Sequence, residues 1–247
     1  IDLWPRVHGN QREQLDAWGE ERFAQAIEER GISLACLTQY KLGPFALDDE
    51  LRLARRLDCR MIVTNAVGPK ELTGEPLREA IDQFVKRLAP TLRIASENRV
   101  RIVIENHGGG LIDSAEAMLR LRDATEGEPV AFALAPYHLP QDAQAIAGLI
   151  RDLSDRISMF YAWQHGNGCM QAQPKEQELL QLPGLGPLDF RPIVAAFAEI
   201  GYRGWTEIFM HPYPRGLPIL ETNAAVTQQI VAARDHLESL WPSVQGR

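Results

Sequence analysis

A single α/β domain over residues 1–247, built as a TIM (β/α)8 barrel, is what this sequence predicts, and two observations predict it. Apolar β-branched runs alternate with amphipathic helical patterns at spacings of about 30 to 45 residues, which implies a parallel sheet. Seven such units fit either an open doubly wound sheet or an eight-stranded barrel; because the chain opens at Ile1 on what reads as the tail of a strand, a barrel whose first β/α unit is truncated or absent before Ile1 is expected.

The elements read as follows. Ile1 to Leu3 ends a strand, and Trp4-Pro5 and His8-Gly9 carry it into a loop. Glu13 to Arg30 has Leu15, Trp18, Phe23 and Ile27 at spacings that form one helical face, closed by Gly31. Ile32 to Leu37 reads as a strand, after which Asp48 and Asp49 can cap a helix carrying Leu51, Leu53, Ala54 and Leu57. Arg60 to Asn65 is the next strand. Pro76 to Glu97 is the longest helical pattern, and Pro90 is expected to kink or divide it.

The strand closing at Glu105 anchors the reading. Val100, Ile102, Val103 and Ile104 form a buried-strand run, and Gly108, Gly109 and Gly110 stop it abruptly. Strand alternation places Glu105 and His107 on one side and Asn106 on the other. A buried lone carboxylate costs several kcal/mol unless paired, protonated or metal-bound, so Glu105 requires a partner or solvent.

Ser114 signals a cap before Met118, Leu119 and Leu121; Val130 to Leu134 is a strand running into Ala135-Pro136-Tyr137-His138; Asp142 to Leu153 is helical; and Ile157 to Trp163 is a strand ending in Gln164-His165. Asn167 to Pro187, rich in Gly, Pro and Gln, lacks periodicity and reads as a long loop able to close over a ligand. Phe190 to Ile200 is helical, Trp205 to Met210 is a last strand with Glu207 on it, and Glu221 to Leu240 is a final helix.

A net charge of −7 with no basic stripe argues against nucleic acid as a partner, and no run of about 18 apolar residues suggests a membrane span. Cys36, Cys59 and Cys169 are odd in number and far apart, which fits free thiols in a reducing, cytoplasmic compartment. A homo-oligomer is compatible with the sequence.

Chemically capable side chains recur at strand ends: Asp2 and His8, Thr38 and Gln39, Asn65, Glu105 and His107, His138, Gln164 and His165, Glu207 and His211. One strand-end histidine alone reads more naturally as a hydrogen-bonded loop residue; recurrence across strands points to a site. In a parallel barrel these ends share one face, where active sites are built. Two glutamates on such a face repel unless a cation or a shared proton lies between them. Glu105, Glu207 and His165 are suitable ligands for Mn²⁺, Mg²⁺, Co²⁺ or Zn²⁺.

Ile-Glu-Asn-His-Gly-Gly at 104–109, Phe-Ala-Leu-Ala-Pro-Tyr-His-Leu at 132–139, and above all the stretch from Leu182 to Glu207 resemble the sugar phosphate isomerase/epimerase family with the xylose isomerase-like TIM barrel. The resemblance implies a divalent metal held by a glutamate, an aspartate, a histidine and a second glutamate on successive strands, matching Glu105, Ala135, His165 and Glu207. Ala135 departs from the pattern, because a methyl group cannot ligate. A one-residue shift around 164 would turn Gln164 inward in place of His165.

The function expected is an isomerase or epimerase acting on a small polyhydroxylated carbonyl compound. Glu105 and Glu207 would exchange a proton next to the carbonyl, and a metal would stabilise the enediolate. His138, His107, Gln164 and His8 would bind hydroxyls, with Trp4, Trp163 and Phe209 offering apolar faces. The alternative is a catalytically inactive sugar-binding barrel, for which Ala135 speaks. A DNA-repair endonuclease fits poorly with an acidic chain.

Overall fold

The computed structural model describes residues 1–164, 174–208, 210 and 219–241. The chain divides into two compact units, Ile1–Phe132 and Ala133–Arg247.

The first unit is a parallel sheet with helices between its strands. β1 (Asp2–Leu3), β2 (Cys36–Thr38), β3 (Met61–Asn65) and β4 (Arg101–Glu105) follow one another in the sheet in chain order. Nearly every residue of these strands is buried, as expected where a parallel sheet is covered on both faces. The longest register runs from Met61 opposite Arg101 to Asn65 opposite Glu105, so β3 and β4 end side by side on an amide and a carboxylate.

The helical region expected over Glu13–Arg30 is two helices, α1 (Gln11–Trp18) and α2 (Glu20–Glu28). Gly19 divides them: it takes φ of +81°, a conformation open to a residue without Cβ, while its N–H still closes α1 on the Leu15 carbonyl. β2 begins later than expected, because the Ile32 N–H turns back to the Ile27 carbonyl and strand pairing starts only where Cys36 meets Asp2. α3 (Asp48–Arg56) has Leu47, not an aspartate, at its N-cap; Asp48, Asp49 and Glu50 occupy its first turn, where carboxylates oppose the positive end of the helix dipole. Glu50 is buried and is held by the Arg12 guanidinium of α1.

α4 (Gly74–Asn98) continues through Pro90 without being divided. Its buried positions, Leu77, Ile81, Phe84, Leu88, Leu92 and Ala95, hold one face to the core, while Pro90 stands on the exposed side, where the carbonyl it frees is open to water. α5 (Ala115–Ala124) starts at Ser114, whose hydroxyl accepts the Ala117 N–H at 3.2 Å.

β5 (Val130–Leu134) leads the chain into the second unit. There α6 (Ala143–Leu153) is capped by the Asp142 carboxylate, which accepts the Gln144 and Ala145 N–H groups. β6 (Ile157–Tyr161) and β7 (Trp205–Glu207) pair in parallel, Tyr161 opposite Glu207, and both strands are shorter than expected. Between them the described part of the predicted long loop holds one short helix, α7 (Lys175–Glu178), and a 3₁₀ turn at Leu179–Gln181, before α8 (Phe190–Glu199); α9 (Asn223–Leu240) follows β7. Among the described residues no helix is long and apolar enough to cross a membrane.

Candidate active site

β2, β3 and β4 end on the polar residues Thr38, Asn65 and Glu105, and β1 opens on Asp2. Asp2 accepts the Thr38 hydroxyl at 2.7 Å, and the Thr64 hydroxyl caps the Gln39 carbonyl at 2.9 Å. Glu105 is only 3% exposed. Its Oε2 accepts a hydrogen bond from the phenol of Tyr40, which follows β2 by two residues. That bond supplies the partner a buried carboxylate needs, and it fixes the orientation of the carboxylate plane. Tyr40 in turn meets the Trp4 indole edge-on at 5.4 Å, and Trp4 lies 4.8 Å from the His8 ring. Trp4, His8, Thr38 and Tyr40 wall a pocket of about 270 Å3, which Arg6 and Lys41 also line.

Sequence reasoning singled out Trp4, His8 and Glu105, and passed over Tyr40, which links them. The missing signal was weak: Tyr40 shares the parity of Thr38 but lies in an irregular segment beyond the strand. Asn65 stands beside Glu105 with its buried Oδ1 lacking a hydrogen-bond partner among the described residues. Regular alternation stops with β4 at Glu105: Asn106 is fully buried, and the half-buried His107 places its Nδ1 2.8 Å from the adjacent Gly108 carbonyl.

The second unit assembles an aromatic cluster. Tyr137 and Trp163 stack with ring centroids 3.8 Å apart and planes within 3°, and His138 meets both rings edge-on, at 5.1 and 5.3 Å. Glu207 closes β7 beside Tyr161, its carbonyl accepting the Ala162 N–H at 2.8 Å. Gln164, expected to bind substrate hydroxyls, bonds to backbone groups. Its Nε2 donates to the Leu182 carbonyl at 3.0 Å and its Oε1 accepts the Leu188 N–H at 2.7 Å, so the buried amide is committed to backbone and pins the following loop. His165, Cys169, Phe209 and His211 lie outside the described residues.

The chain belongs to the xylose isomerase-like TIM barrel family, whose model matches residues 2–239. This is a sugar isomerase/epimerase-like family, and its fold accounts for the run of parallel β/α units. The inosose dehydratase of Geobacillus kaustophilus (strain HTA426) is 24% identical over 163 residues, covering 59% of this chain and 53% of that protein, so the match spans about half the length of this curated relative. Among solved structures, IOLI protein with a binding zinc atom matches 99% of this chain and 88% of its own, at a TM-score of 0.69 and 13% identity. D-psicose 3-epimerase from Clostridium cellulolyticum H10, solved with D-tagatose, matches 92% and 86% at a TM-score of 0.67 and 15% identity. At such identities the likeness is one of fold.

Among the described residues the donor set does not match a family-type metal centre. Ala135, at the expected aspartate position, is fully buried and offers only a methyl group. One oxygen of Glu105 is engaged by Tyr40. Among the described residues no three His, Cys, Asp or Glu side chains group to hold an ion.

Proposed function

We propose that this chain is an isomerase or epimerase that removes and returns a proton on the carbon next to the carbonyl of a small polyhydroxylated compound, with Glu105 as the base. The observation that carries the reading is the buried Glu105 carboxylate, which accepts a hydrogen bond from Tyr40, a residue that lines a pocket of about 270 Å3. A carboxylate removed from water and fixed in direction abstracts a proton without first reorganising solvent. Proton transfer to Glu105 leaves an enediolate, and returning the proton to the neighbouring carbon or the opposite face gives isomer or epimer. The same first step serves dehydration, in which the enolate expels a hydroxide, so a dehydratase and an epimerase among the relatives support one chemistry. His8 and His107 are assigned the binding of hydroxyl groups, with Trp4 offering an apolar face.

Incubation with a panel of ketoses, aldoses and inososes in deuterated water, followed by NMR, tests this. Deuterium should enter next to the carbonyl of at least one compound, and Glu105→Gln should slow its entry by about a hundredfold or more. A Gln variant exchanging at the normal rate ends the assignment.

Ala135 favours a second reading, a sugar-binding barrel without turnover. Calorimetric binding of a panel sugar without deuterium entry or Mn²⁺ uptake would establish it.

A further inference from the structure

The pocket of about 270 Å3 in the first unit is made by the loop that follows β1 and by the end of β2. Two hydroxyl-bearing side chains wall it, and both have committed their protons to acids that are not part of its lining: Thr38 donates to Asp2 at 2.7 Å, and Tyr40 donates to Glu105. A ligand there finds no free hydroxyl proton on either wall. Trp4, Pro5 and Val7 add apolar surface, and Val7 is 49% exposed, an aliphatic side chain left in water at the pocket. A polyol seated against these walls would exchange water for few partners, and each hydroxyl left without one opposes binding. An apolar group gains by leaving water at the same place.

Size and the remaining lining narrow the choice. A dry cavity of about 150 Å3 holds a benzene ring, so a pocket of about 270 Å3 admits an aromatic ring with its linking atoms. Arg6 and Lys41, both exposed, complete the lining. An aromatic face accepts either end of such a residue, the aliphatic stem by packing and the cation by attraction to the ring quadrupole. The chain makes the same pairing within itself, with Arg22 over the Trp18 ring at 5.2 Å and Arg87 over the Phe45 ring at 4.2 Å.

We infer that this pocket binds an aromatic substituent, so that the substrate of the Glu105 site is a polyhydroxylated carbonyl compound carrying an aryl group. This rests on the reading of Glu105 as the reacting base, because Tyr40 is common to both places: it lines the pocket and donates to that carboxylate. The aryl end and the reacting end of one molecule then lie on two sides of a single side chain.

Calorimetric titration of the full chain with the phenyl and methyl β-glycosides of D-glucose, D-galactose and D-xylose tests the inference. At least one phenyl glycoside should bind about tenfold or more tightly than its methyl counterpart, and added salt should leave the ratio in place. Val7 is exposed, so its replacement leaves the core intact. The preference should fall below about twofold in Val7→Asp and in the uncharged Val7→Asn, and persist in Val7→Ile, with thermal melting checked in all three. Equal affinity for phenyl and methyl glycosides of every sugar, no binding of any phenyl glycoside, a ratio that collapses in salt, or a preference that survives both polar variants each overturns it. Proton exchange on the ketose panel without a phenyl preference ends this inference alone, whereas a Val7-dependent phenyl preference without proton exchange on any compound ends the isomerase reading alone.

Discussion

The phenol of Tyr40 donates to the buried carboxylate of Glu105, joining residues 65 positions apart across β2, β3 and β4. If Glu105 is the base proposed above, Tyr40 positions it. Tyr40→Phe deletes one oxygen and leaves the ring against Trp4. It should lower stability by about 1 to 3 kcal/mol, because Glu105 loses a buried donor, and lower kcat by roughly tenfold to a hundredfold with little change in KM. Urea denaturation and steady-state kinetics on a substrate found by deuterium exchange check this. Unchanged kcat would leave the hydrogen bond a matter of stability only.

Gln164 spans two backbone groups, and Gly186 packs so closely that a Cβ there would lie 2.4 Å from the Gln164 amide carbon and 2.2 Å from the Leu180 carbonyl oxygen. Gln164→Leu should cost about 1 to 3 kcal/mol, chiefly by leaving the Leu188 N–H without its acceptor, while the Leu182 carbonyl keeps the Leu185 N–H at 3.1 Å. Hydrogen exchange should quicken around Leu188 before the rest of the second unit. Uniform protection in the variant would argue that the loop is held by other means.

Arg12 holds Glu50 where α1 meets α3, and Glu50 is almost wholly buried. Burial opposes the charged form of the guanidinium, yet the Glu50 and Asp16 partners together keep it above its ordinary range. Arg12→Met should destabilise the fold by about 3 kcal/mol by stranding a buried carboxylate, and adding Glu50→Leu should recover much of the loss. Chemical denaturation of the single and double variants measures the coupling; additive losses would contradict it.

Burial pushes the Cys59 thiol from 9.0 up to about 11, and the Asp2 charge adds to the effect. The thiol therefore stays protonated near neutrality, and Cys59 should resist iodoacetamide at pH 8 until the protein is unfolded. Between about pH 9 and 11 the folded chain keeps a proton that the unfolded chain has lost. The contribution of this group is complete below pH 9 and is lost as pH rises through 11. Mass spectrometry of alkylated native protein and urea midpoints across that range test both statements.

Those four outcomes follow from contacts of unequal legibility in the sequence. β3, β4 and β5 can be read directly, because a parallel strand covered on both faces must be apolar throughout, and Glu105 stands out as the charge that ends such a run. The caps at Ser114 and Asp142 are local chemistry and equally plain. Gly19 inside a helical pattern and Pro90 inside another gave opposite results: the glycine divided its helix, and the proline, on a solvent face, did not. Tyr40 was invisible for a different reason. Nothing near it in sequence distinguishes a phenol that meets a carboxylate from one that meets water; only the packing of β2, β3 and β4 does. The backbone partners of Gln164 lie 18 and 24 positions downstream, too far for local sequence to reveal them.

The stacked rings of Tyr137 and Trp163 give the second unit an optical signature. The two rings face each other with centroids 3.8 Å apart in a fixed asymmetric setting, so they should contribute to a near-ultraviolet circular dichroism band. His138 rests edge-on against both rings, so its displacement by any ligand would tilt them and alter that band. Near-ultraviolet circular dichroism recorded during a sugar titration therefore reads, without a label, whether the Tyr137 and Trp163 rings move.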